Sequence, residues 1–217
     1  MLKLHFLEAS VPLTKTFTLG DKGELIKTPY PMVKKFTSHE ELVSSSEEFR
    51  DKLIQHAALG HCLLKGALDR ALINESRAGH TSPDSPTEWV VLDVDGLPYS
   101  PEEFLHLIGY GDVDYIVQYS ASSGIILAGE ACSSAKFDRY HIFIRLDEPQ
   151  PPYQLKLWLK KLNLSVPAIS QYLDLTASSM SMRWPLDISV CQNDKLIYIA
   201  PPQCGPGVID TLSEKRL

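Results

Sequence analysis

Two aspartates, Asp93 and Asp95, are the residues most suited to chemistry, and they end the apolar segment 89–94. In a strand, residues two positions apart point to the same face, so both carboxylates project together. Two negative charges this close are costly unless a cation lies between them, and Mg²⁺ or Mn²⁺ prefers such oxygen ligands. The pair therefore predicts a divalent-metal site. The alternative is a solvated turn after the strand, since Gly96 and Pro98 follow.

A second cluster combines positive charge with an imidazole. Arg139 and His141 are also two positions apart, at the start of an apolar segment, and Lys136 precedes them. A loop of small residues that contains Ser122 and Ser123 comes before this segment. Forked guanidinium donors and an imidazole beside a metal site suit the binding of a triphosphate. The alternative for His141 is a structural histidine with satisfied hydrogen bonds.

The third cluster is Asp174, which follows apolar residues, with Arg183 further along the chain. An unpaired charge in an apolar context is unfavourable, and a shared metal ion would explain it. Asp187 also follows an apolar residue, but Asp174 is the preferred third acid. The alternatives are a helix cap and a local salt bridge.

The elements that position these clusters predict an α+β fold. From residue 86 the order is strand, helix, two strands, helix and a final strand at 195–199, which is typical of a split β-α-β, RRM-like unit. Before it, a capping box at residues 38–41 predicts the start of a helix. We expect an N-terminal lobe over 1–85, a lobe carrying the motifs over 86–205, and a tail or linker over 206–217.

The composition excludes several classes of protein. The chain has 217 residues, is 44% hydrophobic and carries a net charge of −6. This acidic balance argues against binding nucleic acid through a broad basic face. No apolar run suggests a membrane span or a signal peptide, so we expect an intracellular, cytoplasmic protein that does not bind membranes. The four widely spaced cysteines do not match a zinc finger and are expected to be reduced thiols.

Taken in this order, the three clusters resemble the motifs of the archaeo-eukaryotic primase superfamily, in particular its PrimPol-like primase-polymerases of phage and plasmid type. The acid-x-acid motif corresponds to Asp93 and Asp95, the histidine motif to Arg139 and His141, and the third motif to Asp174 with Arg183. Arginine stands at position 139, where serine is usual. The resemblance covers residues 88–187.

The resemblance implies a catalytic core in which an active site lies between an N-terminal α/β lobe and an RRM-like lobe. The three acids would hold two divalent ions, Mg²⁺ or Mn²⁺, and no zinc site is expected. His141, Arg139, Lys136, Arg183, Ser122 and Ser123 would bind the nucleotide. The substrates would be NTPs or dNTPs on a single-stranded DNA template, and a replicative helicase would be an appended domain or a separate chain.

Two further basic residues lie in a segment that looks like the one preceding the first motif in phage-type members. Lys65 and Arg77 would contact template or nucleotide on this interpretation, and are otherwise surface charges.

Two other functions stay open at this level. One is a different D-x-D metal enzyme that uses a nucleotide, such as a glycosyltransferase, which predicts several parallel strands before the acid pair. The other is a non-catalytic nucleic-acid-binding module of replication initiation with the same fold, which predicts loss of an acid or of the histidine.

Overall fold

The computed structural model describes residues 1–131, 139–176 and 181–217. Within these ranges the chain has a mixed α+β fold with four helices and several small sheets. The helices are α1 (Ser46–Ala58), α2 (Pro101–Leu107), α3 (Pro152–Ser165) and α4 (Pro167–Ser170), and a 3-10 helix covers Ile188–Cys191. None of the helices in the described ranges has the length and apolar character needed to cross a membrane.

Within the described residues, fourteen strands form the sheets. They are β1 (Leu2–Glu8), β2 (Thr16–Leu19), β3 (Leu25–Thr28), β4 (Thr37–Val43), β5 (Cys62–Leu64), β6 (Thr87–Asp95), β7 (Tyr115–Tyr119), β8 (Ile125–Leu127), β9 (Arg139–Gln150), β10 (Asp174–Thr176), β11 (Ser181–Arg183), β12 (Leu196–Tyr198), β13 (Gln203–Cys204) and β14 (Val208–Asp210). Two sheets dominate: an antiparallel one in the order β12-β5-β1-β4 and another in the order β6-β9-β7.

The sheet β6-β9-β7 carries the acid pair. Its apolar residues, including Val91 and Phe143, belong to one hydrophobic core that also receives Phe6 of β1 and Leu159 of α3. Beyond β6, Leu186 makes an isolated antiparallel bridge with Val94. The resulting order, a bridge beside β6, then β9 and β7, is the order of strands in a split β-α-β unit.

The final strand of that unit was predicted at 195–199, and the structure places these residues elsewhere. Strand β12 pairs with β5 and therefore completes the N-terminal sheet. The position next to β6 is taken instead by the segment around Leu186. Both segments are short and apolar, so local sequence does not distinguish which sheet each one joins.

The helix predicted to start at Ser38 is wrong. Residues 37–43 form β4 and pair with β1 along its whole length. Helix α1 begins at Ser46, where the Ser45 side chain accepts a hydrogen bond from the Glu48 backbone N–H at 3.0 Å. Both segments have serine followed by glutamate three residues later, so the local pattern predicts a helix start equally well at either. The pairing of β4 with β1 makes the first segment a strand, and the helix begins at the second.

Residues 206–217 were expected to form a linker, but they pack against the rest of the chain. Strand β14 pairs with β8, and Val208 and Leu212 are buried. Arg216 is 5% exposed and forms an ion pair with Asp210. It also donates hydrogen bonds to the carbonyls of Tyr119, the last residue of β7, and of Ser120 and Ser123 in the loop that follows. The C-terminal segment thereby holds the loop that contains Ser122 and Ser123.

We predict that Arg216→Ala lowers the free energy of unfolding by about 3 kcal/mol, because it leaves the partly buried Asp210 without its partner. Urea denaturation measures the change. Lys215→Ala is the matched control, since Lys215 is exposed, and it should cost less than about 0.5 kcal/mol. Equal stabilities of the two variants would contradict this account of the C-terminal segment.

Candidate active site

Register between two strands brings the first two predicted clusters together. In the antiparallel pairing of β6 with β9, Asp93 lies opposite His141 and Asp95 lies opposite Arg139. Asp93 Oδ1 is 3.5 Å from His141 Nε2, and Asp95 Oδ1 is 2.6 Å from Arg139 Nε. The two residues at i, i+2 spacing on each strand thus form two neighbouring cross-strand pairs, each of one acid with one basic residue, on one face of the sheet.

The third strand of the sheet orients His141. Gln118 lies opposite His141 on β7, and its Oε1 is 2.7 Å from His141 Nδ1. The Gln118 amide NH₂ donates to the carbonyls of Tyr119 and Ile199, so its Oε1 is left to accept from Nδ1–H. His141 Nε2 is therefore the nitrogen that faces Asp93 and the cleft.

Charges around the acids balance their desolvation. Burial opposes ionisation of Asp93, but His141, Lys195 and Lys15 outweigh it and lower the pKa of this carboxyl. Asp95 is paired with Arg139, and its Oδ2 is 3.7 Å from Arg183 Nη2. The lowered pKa of Asp93 favours the charged form of that carboxylate, and Asp95 lies against two guanidinium groups.

The structure places the two candidates for the third acid differently. Asp187 lines the cleft and its backbone N–H donates to the Asp93 carbonyl at 3.0 Å. Its carboxylate accepts from the Ser189 N–H at 2.8 Å and lies 3.3 Å from Lys195 Nζ. Asp174 is exposed on β10 opposite Arg183 of β11, and it is not among the described residues that line the cleft. Arg183, which lies opposite Asp174 in this strand pair, reaches the acid pair through Asp95.

The cleft in front of the acids measures about 540 Å³ and is lined by residues that sequence reasoning missed. Lys15, at the start of β2, donates from Nζ to Ser122 Oγ at 2.8 Å and lies 4.6 Å from the centre of the Tyr30 ring. The Tyr30 ring in turn stacks on Tyr198 at 3.8 Å. No local pattern marks these residues, since they come from segments far from the acids in sequence.

Lys15 is the cation most strongly affected by this setting. Burial lowers its pKa to about 8, and the neighbouring charges of Lys27 and Arg139 act in the same direction. Asp93 and Asp95 oppose this change without cancelling it. Lys15 therefore loses its proton at a lower pH than an exposed lysine does. A negative charge added to the cleft would stabilise its protonated form.

The predicted loop residues have different roles. Ser122 accepts a hydrogen bond from Lys15, which lines the cleft, whereas Ser123 is fully buried and its hydroxyl donates to the Arg139 carbonyl. Ser123 thus anchors the start of β9 and is not placed to bind a nucleotide. Lys136 lies outside the described residues.

Neither of the two N-terminal basic residues lines the cleft. Lys65 is 1% exposed; its Nζ donates to Thr87 Oγ1 at 2.6 Å and to the Trp89 carbonyl at 3.0 Å. Contact with template or nucleotide does not fit that burial. Arg77 donates to the Asp194 carbonyl and lines a separate cavity of about 770 Å³.

The acids of the cleft offer the kind of ligand atom that a hard divalent ion prefers, although the oxygens of Asp93, Asp95 and Asp187 do not all converge to within 4.8 Å of one another. Asp93 and Asp95 present carboxylate oxygens from one face, and the Asp187 carboxylate lines the same cleft. Such oxygens are the preferred ligands of Mg²⁺ and Mn²⁺. Arg139 and Arg183 form ion pairs with the Asp95 carboxylate. An ion that binds Asp95 would therefore have to replace these ion pairs.

Comparisons of the chain with protein-family models, with curated proteins and with solved structures found no match.

We predict that the unfolding free energy rises with pH above 7 by up to about 1 kcal/mol per pH unit, in part because of Lys65. Burial lowers the pKa of folded Lys65 to about 7, whereas the unfolded amine keeps its proton to higher pH. The unfolded state therefore binds more protons, so stability increases as pH rises. Lys65→Met should flatten the rise between pH 7 and 8 in urea denaturation, and the exposed-site control Lys161→Met should not.

Proposed function

We propose that this chain is a primase-polymerase: a nucleotidyltransferase that makes or extends primers on single-stranded DNA with the help of divalent ions. The observation that carries the proposal is the register that sets Asp93 and Asp95 opposite His141 and Arg139 on one face of a sheet. Partly buried acids and bases are unfavourable without partners of opposite charge, and here several of them are concentrated at one cleft. Such a concentration is typical of a site for a charged ligand and a metal ion.

The strand order supports the finer fold proposal, the two-lobed fold of the archaeo-eukaryotic primases. The sheet β6-β9-β7 with the Leu186 bridge has the order of an RRM-like unit, and the acids lie on its first strand. On this proposal, the active site between the lobes would be the cleft between this sheet and the segments that contain Lys15 and Tyr30.

Asp93 and Asp95, together with Asp174 or Asp187, would hold two ions, Mg²⁺ or Mn²⁺. When bound, such ions acidify an attacking hydroxyl and neutralise charge on a leaving pyrophosphate. The chain's own residues supply the grip on the substrate. His141 presents Nε2 to the cleft, Lys15 and Arg183 add positive charge, and Gln118 keeps the imidazole in place.

The electrostatics also suggest how template is held. With a net charge of −6, the chain has no excess of basic residues to bind DNA non-specifically. We expect weak, salt-sensitive binding of single-stranded DNA, strengthened in the cell by other domains or partners such as a helicase. The substrates would be NTPs, dNTPs or both, in an intracellular setting.

One observation favours a second candidate, the non-catalytic nucleic-acid-binding module. Asp95 is already paired with Arg139 and Arg183, so this acid is compensated without an ion. The third candidate, a D-x-D glycosyltransferase, is disfavoured because the sheet that carries the acids is antiparallel and not parallel.

We predict that the wild-type chain incorporates labelled nucleotide on single-stranded DNA with Mn²⁺ or Mg²⁺. The double variant Asp93→Asn with Asp95→Asn should reduce the rate at least about a hundredfold, because loss of groups that stabilise charge in a transition state usually has an effect of this order. Gel electrophoresis of the products measures this. The matched control is Asp112→Asn with Asp114→Asn, a pair of exposed acids with the same spacing, which should retain the wild-type rate.

The same experiment separates the candidates. DNA binding without incorporation by the wild-type chain would favour the non-catalytic module. Activity that survives in the Asp93/Asp95 double variant would show that these acids are not the catalytic site.

We also predict that affinity for a non-hydrolysable nucleoside triphosphate falls by up to about tenfold from pH 7 to 9, because one unit above a pKa about one lysine in ten stays charged. Lys15, with its pKa lowered to about 8, is the expected cause. Calorimetric titration should find a flatter profile for Lys15→Arg, which stays charged, than for the exposed control Lys22→Arg. Identical profiles would remove Lys15 from the binding site.

A further inference from the structure

A cluster of histidine and glutamate side chains lies at the N-terminal sheet, and none of its members lines the acid cleft. Glu8 ends β1, His39 lies on β4 and His61 immediately precedes β5. Each offers one ligand atom, and these atoms all lie within 4.8 Å of one another. The three side chains line a cavity of about 380 Å³ that opens to solvent.

The backbone holds these side chains in place. In the pairing of β1 with β4, Glu8 lies opposite Thr37 and His39 lies opposite Phe6, so Glu8 and His39 are diagonal neighbours across the two strands. Gly60, with φ of +77°, makes the turn from α1 into His61, and a Cβ there would lie 2.9 Å from Pro12 Cβ. The close approach of Pro12 fixes the turn.

A chain of hydrogen bonds orients the buried histidine. His61 Nδ1 is 2.9 Å from His56 Nδ1, and His56 Nε2 is 3.3 Å from Glu41 Oε1. The other oxygen of Glu41 is 2.8 Å from Lys52 Nζ. A carboxylate only accepts, so His56 donates from Nε2 and accepts at Nδ1 from His61. The lone pair of His61 is then left on Nε2.

This is the arrangement found around metal-ligating histidines, whose second nitrogen donates to an orienting partner. His39 Nε2 lies 2.9 Å from Glu8 Oε2, so these two side chains already converge. Both are partly exposed, which leaves a path for an ion to enter.

We propose that Glu8, His39 and His61 form a Zn²⁺ site with a fourth position open to solvent. Two imidazoles and one carboxylate are a donor set that Zn²⁺ binds with a tetrahedral arrangement, the fourth ligand being water. The ion joins the end of β1, the middle of β4 and the turn after α1. The site differs in chemistry from the all-oxygen acid pair and does not depend on the proposed function.

The test is titration of the full chain, first cleared of metal with a chelator, with Zn²⁺ in a calorimeter. We expect one tightly bound Zn²⁺ per chain. His39→Gln and Glu8→Gln should each weaken binding at least about tenfold. This is the lower end of the loss in metal affinity that substitutions around a metal site cause. His106→Gln, at an exposed histidine outside the cluster, and the variant with Asp93→Asn and Asp95→Asn should bind as the wild-type chain does.

A second readout protects the test against misfolding. Zn²⁺ should raise the Tm of the wild-type chain and of His106→Gln, but not that of His39→Gln, since only a ligand bound to the folded state stabilises it. Equal Tm values of the metal-free variants show that His39→Gln folds. Absence of tight Zn²⁺ binding, equal binding by His39→Gln and His106→Gln, or loss of binding only in the Asp93/Asp95 variant would each overturn the proposal.

Discussion

The antiparallel register of β6 against β9 is the constraint on which the candidate active site depends. Each strand contributes two functional residues at i, i+2 spacing, and only this register sets acid opposite base at both positions. A slip of one residue would turn every side chain to the other face of the sheet. The apolar residues of both strands lie in the core, so a slip would also expose them. Burial of these residues therefore fixes the register that places the acids opposite the basic residues.

The same arrangement concentrates positive charge at one cleft of an acidic protein. Charge in the cleft is local: Asp93 and Asp95 meet cations from β9, from the start of β2, from β11 and from the segment before β12. These contributors are distant in sequence, and the overall charge does not reveal them. The net charge of −6 therefore describes the outer surface better than the site, where acids and bases are nearly matched.

Predictions that rested on local periodicity agree with the structure, and those that required knowledge of partners do not. The strand that ends in the acids, the helix expected after it and the strand that carries Arg139 and His141 are present. The helix expected at Ser38 is a strand, because β1 lies beside it. Lys65 illustrates the same limit: this lysine directly follows the short apolar strand β5 and is one of the most buried residues, with hydrogen bonds to Thr87 and to the Trp89 carbonyl.

The proposed Zn²⁺ site shows the same dependence on tertiary structure. The expectation of no zinc site came from the spacing of the cysteines, whereas the cluster proposed for Zn²⁺ uses Glu8, His39 and His61, which no short motif connects. Their convergence results from the pairing of β1 with β4 and from the turn at Gly60. Sites assembled from separate segments of this kind are detectable only once the segments are placed in space.

The amino-acid sequence alone determined the α+β character and the residues that share a face, notably Asp93 with Asp95 and Arg139 with His141. It did so because side-chain direction alternates along a strand irrespective of the surroundings. Tertiary structure was needed to show that the two pairs face each other, that Lys15 and Asp187 join them, and that Lys65 and Ser123 are buried. These properties depend on register and contact between segments far apart in the chain, which local pattern does not encode.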